Sequence, residues 1–244
     1  MIRFRPQHTL KMPRPYILEI SVESVAAALA AERAGADRIE LCSNTKDGGT
    51  TPPPELLRSA RDRVRLPIFA MVRPRPGNFL YSAAEFSAME RDIDSAKKFQ
   101  MDGIVLGLLD ADRKVDVART SLLVAHAAPL PVTFHRAFDE CANLSAALED
   151  VIKTGATRLL TSGGKTTAPK ALEFLADLVR LAADRIVVMP GSGLHAGNIR
   201  EAVQHTHAHE YHAGLSGVIP RPSEEPNAYQ EEIKKMAAAL QGRS

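Results

Sequence analysis

Residues 16–43 read YILEISVESVAAALAAERAGADRIELCS. A six-residue run of β-type sequence, YILEIS, gives way to an alanine-rich helical stretch that stops at Gly35, and a second six-residue run, RIELCS, follows at once. In each short run alternate side chains face opposite sides. With Leu18 and Ile20 on one face, Glu19 and Ser21 take the other; with Ile39 and Leu41 on one face, Glu40 and Cys42 take the other. Strand, helix and strand over this length make one βαβ step, whose two strands are parallel.

The same step recurs along the chain. Further strand-type runs are PIFAMVRPR at 67–75, GIVLGLLD at 103–110, PVTFHRAFD at 131–139, RLLTSGG at 158–164, RIVVMPGSG at 185–193 and EYHAGLSG at 210–217. Strand starts fall about every 28 residues, close to the length of one βαβ step. Between them lie helix signals: Ser82 with Glu85 forms a capping box, Gly35 and Gly155 are glycine stops, and a final helix is predicted over 226–240. Eight such units in 244 residues, with no proline- or glycine-rich linker, predict an α/β fold of one domain, a single (β/α)8 TIM barrel over 16–244, ahead of an open doubly wound sheet.

Composition narrows the function. The chain is 45% hydrophobic and 25% charged, and 31 Lys plus Arg against 29 Asp plus Glu leave a formal charge of +2. That excludes a disordered chain and a general nucleic-acid binder, which needs excess cationic charge. No apolar run is long enough to span a membrane. Residues 1–15 carry Arg3, Arg5, Lys11 and Arg14 with no acid and three prolines, so this segment holds +4 while the rest, with 27 basic and 29 acidic residues, holds −2. Such a segment reads as a disordered basic arm; it lacks the apolar core of a secretory signal and is short and serine-poor for a transit peptide. With only two cysteines as well, a cytoplasmic protein is expected.

Barrel enzymes carry their sites at the carboxyl ends of the strands, and the polar residues here gather at those ends. Glu19 and Glu40, on adjacent strands, read as a general acid/base pair or metal holders; Arg73 and Arg75 share a face and suit a carboxylate or phosphate; His135 is placed to titrate near neutrality, and His212 lies on the eighth strand. The competing reading is a salt-bridge layer of Glu19 and Glu40 with Arg73. In TFHRAFD, residues 133–139, Asp139 either orients an imidazole or caps the next helix, and parity turns Arg136 toward the helices as a structural residue.

Thr161 and Ser162 end the sixth strand, and Gly163-Gly164 and the turn Pro190-Gly191-Ser192-Gly193 supply backbone N–H groups for an anion, or simply permit tight turns. A Walker A loop is excluded, because its first glycine would fall on Leu159. No lysine lies in the eight runs, which disfavours Schiff-base chemistry, and no organic cofactor is expected. His205, His207 and His209 read as a surface cluster. Cys42 is an inward soft donor of the kind that suits Cu(I), and Cys141 follows the fifth strand, which is not adjacent to the second.

Taken together, LEISVESVAAALAAERAGADRIELCS, GGTTP, VRPRPGNFLYS, TFHRAFD with Cys141-Ala142-Asn143, LLTSGG and EYHAG resemble the CutC family, named for copper homeostasis, in order from about Tyr16 to Gly214. The resemblance implies a cytoplasmic (β/α)8 barrel, a homo-oligomer of two or four subunits, linked to copper handling and binding Cu(I), with Cys42 the first and Cys141 the second metal candidate. Carried over by position, its polar set falls on Glu19, Glu40, Cys42, Arg73, Arg75, His135, Asp139, Thr161, Ser162 and His212. Leu215-Ser216-Gly217-Val218-Ile219-Pro220 leads to the last helix by a shorter path than the family often has. Two functions are therefore expected: a copper-handling protein, or an enzyme acting on a small anionic ligand held by Arg73, Arg75, Thr161, Ser162, Gly191 and Gly193, with Glu19, Glu40, His135, Asp139 and His212 as its acid/base set.

Overall fold

The computed structural model describes residues 16–215 and 225–242. The basic arm, residues 1–15, and most of the segment after Leu215 lie outside the described residues. Among the described residues eight short strands run in chain order as β1 (Ile17–Val22), β2 (Arg38–Leu41), β3 (Ile68–Met71), β4 (Gly103–Leu106), β5 (Val132–Phe134), β6 (Arg158–Thr161), β7 (Val187–Pro190) and β8 (Glu210–Ala213). Each pairs in parallel with its chain neighbours from β1 to β7, and β8 pairs in parallel with β1. A parallel bridge from Gly191 to His212 joins β7 to β8, so the sheet curls round into the expected (β/α)8 barrel.

Helices α1 (Val25–Ala34), α2 (Pro54–Arg63), α3 (Ala83–Lys98), α4 (Val117–Ala127), α5 (Leu144–Lys153), α6 (Leu172–Ala182), α7 (Ile199–Thr206) and α8 (Pro226–Leu240) follow the strands in turn. Their ends obey local chemistry. Ser24 accepts the Ala27 N–H to start α1, Gly35 at φ 98° ends it, and Ser82 and Glu85 form a reciprocal capping box on α3. Among the described residues no helix is long and apolar enough to cross a membrane.

The strands are shorter than their sequence runs. Residues 72–75 and 135–139 belong to the mouth loops, the second as a 310 turn over Arg136–Glu140, because the tails of these runs carry proline or side chains that cap backbone N–H groups. Alternation then divides the barrel as anticipated. Leu18, Ile20, Ile39, Leu41, Ile68, Ile104, Phe134 and Tyr211 are fully buried in the layer between strands and helices, each contributing about 1.5–3 kcal/mol by burial.

The lumen is filled at its base by charge. Arg38 Nε pairs with Glu19, Arg38 Nη2 lies 2.5 Å from Glu210, and Arg158 Nε lies 2.9 Å from the same Glu210 carboxylate. Both guanidiniums also lie against the Phe69 ring, at 4.9 and 5.1 Å from its centre. The layer anticipated between Glu19, Glu40 and Arg73 does not form. Strand register places Arg38 beside Glu19, and that nearer cation takes the carboxylate.

Candidate functional site

Above this floor the barrel opens into a cavity of about 370 Å3 lined by residues from the carboxyl ends of the strands and the loops beyond them. One side holds a chain of titratable groups. Glu19 on β1 accepts a hydrogen bond from His212 Nδ1 on β8 at 2.7 Å, and His212 Nε2 lies 3.8 Å from Glu40 Oε2 on β2. With Nδ1 committed to Glu19, the Nε2 edge of His212 faces Glu40. Glu40 Oε1 is buried without a hydrogen-bond partner. Burial alone would raise the Glu19 carboxyl, but Arg38 and His212 outweigh it and hold it at about 2. Burial raises the Glu40 carboxyl, with the Glu19 charge adding to the effect against His212. His212 is lowered by burial but raised more by Glu40 and Glu19, and ends above the usual imidazole range.

Arg73 and His135 line the same cavity. Arg73 is 4% exposed and donates to the carbonyls of Asp47, Gly49 and Gly77, while its Nε has no partner. Among the described residues no carboxylate pairs with it. His135 accepts the Ala137 N–H at Nδ1, and its Nε2 is buried and unpartnered. Burial first, then the Arg73 charge, lower its imidazole to about 3. The expectation that His135 titrates near neutrality is therefore corrected: it is neutral across the physiological range. A buried polar atom left unpaired costs about 1–3 kcal/mol. Three such atoms, on Glu40, Arg73 and His135, lie on residues that line this one cavity.

Other expected residues serve the scaffold. Asp139 accepts from Thr161 Oγ1 at 2.5 Å, the Ser162 and Gly164 amides at 3.1 and 3.0 Å, and Arg136 Nε at 2.9 Å. These bonds staple the loop after β6 to the 310 turn, and Asp139 also lines the cavity, whereas Thr161 and Ser162 do not. Arg75 is corrected too. It binds Glu85 Oε1 at 2.5 Å and the carbonyls of Asn78 and Leu80, fastening its own loop to α3 away from the cavity. The Gly191 N–H is taken by Thr161 O, whereas Gly193 lines the cavity and among the described residues its amide has no acceptor. A Cβ on Gly191 would meet Leu160 at 2.4 Å, so its role is close packing.

Arg136 reverses its expected position: the chain leaves β5 in a 310 turn, strand parity no longer applies, and the side chain reaches the cavity rim while bound to Asp139. The base of the barrel was also missed. Arg38, Arg158 and Glu210 share strand parity with Glu40, Leu160 and His212, a spacing of two that carries the signal.

Glu19, Glu40 and His212 bring one donor atom each to within 4.8 Å of one another, the spacing of a metal site. Both Glu19 oxygens, however, are already engaged by Arg38 and His212. Cys42 lines the cavity, with Sγ 3.4 Å from Ser21 Oγ and donating to Val22 O, and burial together with Glu40 pushes its thiol up to about 12. Cys141 does not line the cavity, and burial and nearby acids push its thiol up to about 12 as well. The two cysteines do not form one site. His205, His207 and His209 contribute to no metal-spaced group among the described residues.

The family model described as the CutC family matches residues 16–217. The chain belongs to the CutC family. A CutC family protein from Xanthomonas axonopodis pv. citri is 45% identical over 216 residues, covering 88% of this chain and 90% of the relative. A human protein named copper homeostasis protein cutC homolog is 44% identical over 197 residues, covering 81% and 72%. Among solved structures, one described as a copper homeostasis protein CutC from Streptococcus agalactiae superposes with a TM-score of 0.76 at 29% identity, covering 81% of this chain and 98% of that one.

Proposed function

We propose that this CutC family member is an enzyme that moves a proton on a small anionic substrate held at the barrel mouth. The observation that carries the reading is that one cavity is lined by Glu40 and by His212, itself held by Glu19, and by a buried Arg73 that has no carboxylate partner among the described residues. A buried cation without a counter-ion is costly, and a bound anion offsets that cost. Glu19 fixes the imidazole of His212 in one orientation, and burial raises the Glu40 carboxyl above the ordinary carboxylate range, which makes it the stronger base toward a substrate in the cavity. The rim adds Arg136 and the Gly193 amide as further donors.

Thermal unfolding of the purified chain with phosphate, citrate, oxalate and phosphoglycolate tests this. At least one of these anions is expected to raise the midpoint in the native chain and to lose that effect in Arg73→Gln. No stabilisation by any of them, or full stabilisation of Arg73→Gln, would overturn the proposal.

The copper reading rests on the names of the relatives and on Cys42. Cu(I) favours thiolate and thioether donors, and the sulfurs of the cavity wall belong to Cys42 and Met71, which both lie against Gly49. A thiol held up to about 12 by burial and by Glu40 is a poor match to that preference, so we place copper second and derive no step through it. If copper is the ligand, Cys42→Ser abolishes stoichiometric Cu(I) binding in competition with a chelator; the enzyme reading expects no change. A cytoplasmic location accords with two free cysteines.

A further inference from the structure

We infer that the substrate carries a carbonyl group, that its oxygen is bound by the Nε2–H of His135 beside Arg73, and that the reaction is proton transfer at the carbon next to that carbonyl. This rests on the enzyme reading above and gives it a reaction class.

The tautomer of His135 is the starting point. The Ala137 amide donates to Nδ1 at 3.2 Å, so Nδ1 carries a lone pair and the ring proton sits on Nε2. That N–H is buried, on a cavity-lining residue, and has no acceptor among the described residues. The ring is set there by its neighbours. Gly107 at the end of β4 leaves the space it occupies, since a Cβ there would lie 2.5 Å from His135 Nδ1. The Phe79 ring lies 5.0 Å from the imidazole and 4.8 Å from the Arg73 guanidinium, holding the two donors around one aromatic side chain. Because burial and the Arg73 charge keep the imidazole neutral, it acts as a donor and not as a base. A neutral imidazole N–H next to a fixed cation suits an oxygen that gains negative charge during reaction.

The base comes from across the lumen. In a ring ordered β1 to β8, β5 lies opposite β1, so His135 faces the Glu19–His212–Glu40 side. Glu40 Oε1, buried and unpartnered, takes the proton from the C–H bond next to the carbonyl. The C–H electron pair becomes the new C=C bond and the carbonyl π pair moves onto oxygen, giving an enolate held by His135 Nε2–H and Arg73. The proton then returns from Glu40 to the same or the neighbouring carbon, so atoms and electrons balance with no oxidant or reductant.

Calorimetric binding of two pairs tests the inference: oxalate against lactate, and phosphoglycolohydroxamate against glycerol 3-phosphate. The first of each pair is planar and enolate-like, the second tetrahedral at the corresponding carbon. The native chain is expected to prefer the enolate mimic of at least one pair by about 100-fold, the scale of a single donor aimed at a developing oxyanion. His135→Phe, which keeps a ring and removes the donor, should bring that ratio to near one while leaving the tetrahedral ligand bound. Equal binding of both members of each pair, or a preference that survives His135→Phe, overturns this inference alone. No binding of any of the four overturns the enzyme reading with it. Should His135→Phe fail to fold, imidazole 15N shifts of the native chain decide: Nε2–H with a bare Nδ1 from pH 5 to 8 is required, and a proton on Nδ1 overturns the proposal.

Discussion

Replacing Glu19 with Gln keeps the shape of the side chain and removes its charge at the joint between the Arg38 floor of the barrel and His212. The Glu19 carboxylate is fully buried, holds Arg38 through Oε2 and His212 through Oε1, and is lowered from 4.5 to about 2, the two cations outweighing the effect of burial. A carboxyl lowered on folding contributes stability that is fully present above its unfolded value and is lost as pH falls through its folded value. The drop from 4.5 to about 2 corresponds to about 3 kcal/mol at neutral pH. The matching rise on Arg38 is the same interaction seen from its other end and is not added. Urea unfolding of the native chain and Glu19→Gln at pH 7, 5 and 3 reads this directly. A gap of about 3 kcal/mol is expected at pH 7 and pH 5, narrowing to about half at pH 3. A gap that stays constant over that range, or one below about 1 kcal/mol at pH 7, would show that Glu19 is not the charged anchor described.

Asp139→Asn sets an amide NH2 against donors that now converge on a carboxylate, and a loss of about 3 kcal/mol is expected, with faster hydrogen exchange at Ser162 and Gly164; an unchanged stability would show that Asp139 does not staple this loop. Gly107→Ala pushes a Cβ into the His135 ring and should cost about 1–3 kcal/mol while moving the His135 imidazole resonances; unmoved resonances would mean the ring is not seated as described. Both thiols are raised to about 12, so Cys42 and Cys141 should react with a disulfide reagent at pH 8 about 100-fold more slowly in the folded chain than in urea. Fast labelling of Cys42 would contradict its burial.

The barrel was legible because its signal is repetitive. A parallel strand alternating with a helix leaves the same pattern eight times, and the loss of two or three residues from a strand end does not alter the count. Parity also carried Glu19, Glu40, His212 and Cys42 to their observed faces, since these residues lie on the strands or adjoin their ends. It failed where the backbone stops being extended. Arg75 and Arg136 sit in turns, where a residue's direction is set by local hydrogen bonds such as those to Glu85 and Asp139. Protonation was not legible either: His135 and His212 look alike in sequence, yet one faces a guanidinium and the other lies between two carboxylates. The identity of the cation bound to Glu19 depended on strand register, which no spacing within one strand reports.

The packed floor of Arg38, Phe69, Arg158 and Glu210 has a kinetic consequence. Among the described residues a barrel plugged at its base opens only at the mouth, so a ligand in the cavity leaves along the path by which the next one arrives, and displaced water uses it as well. Exchange of any ligand the mouth holds is therefore sequential: the bound molecule must depart before the next can enter.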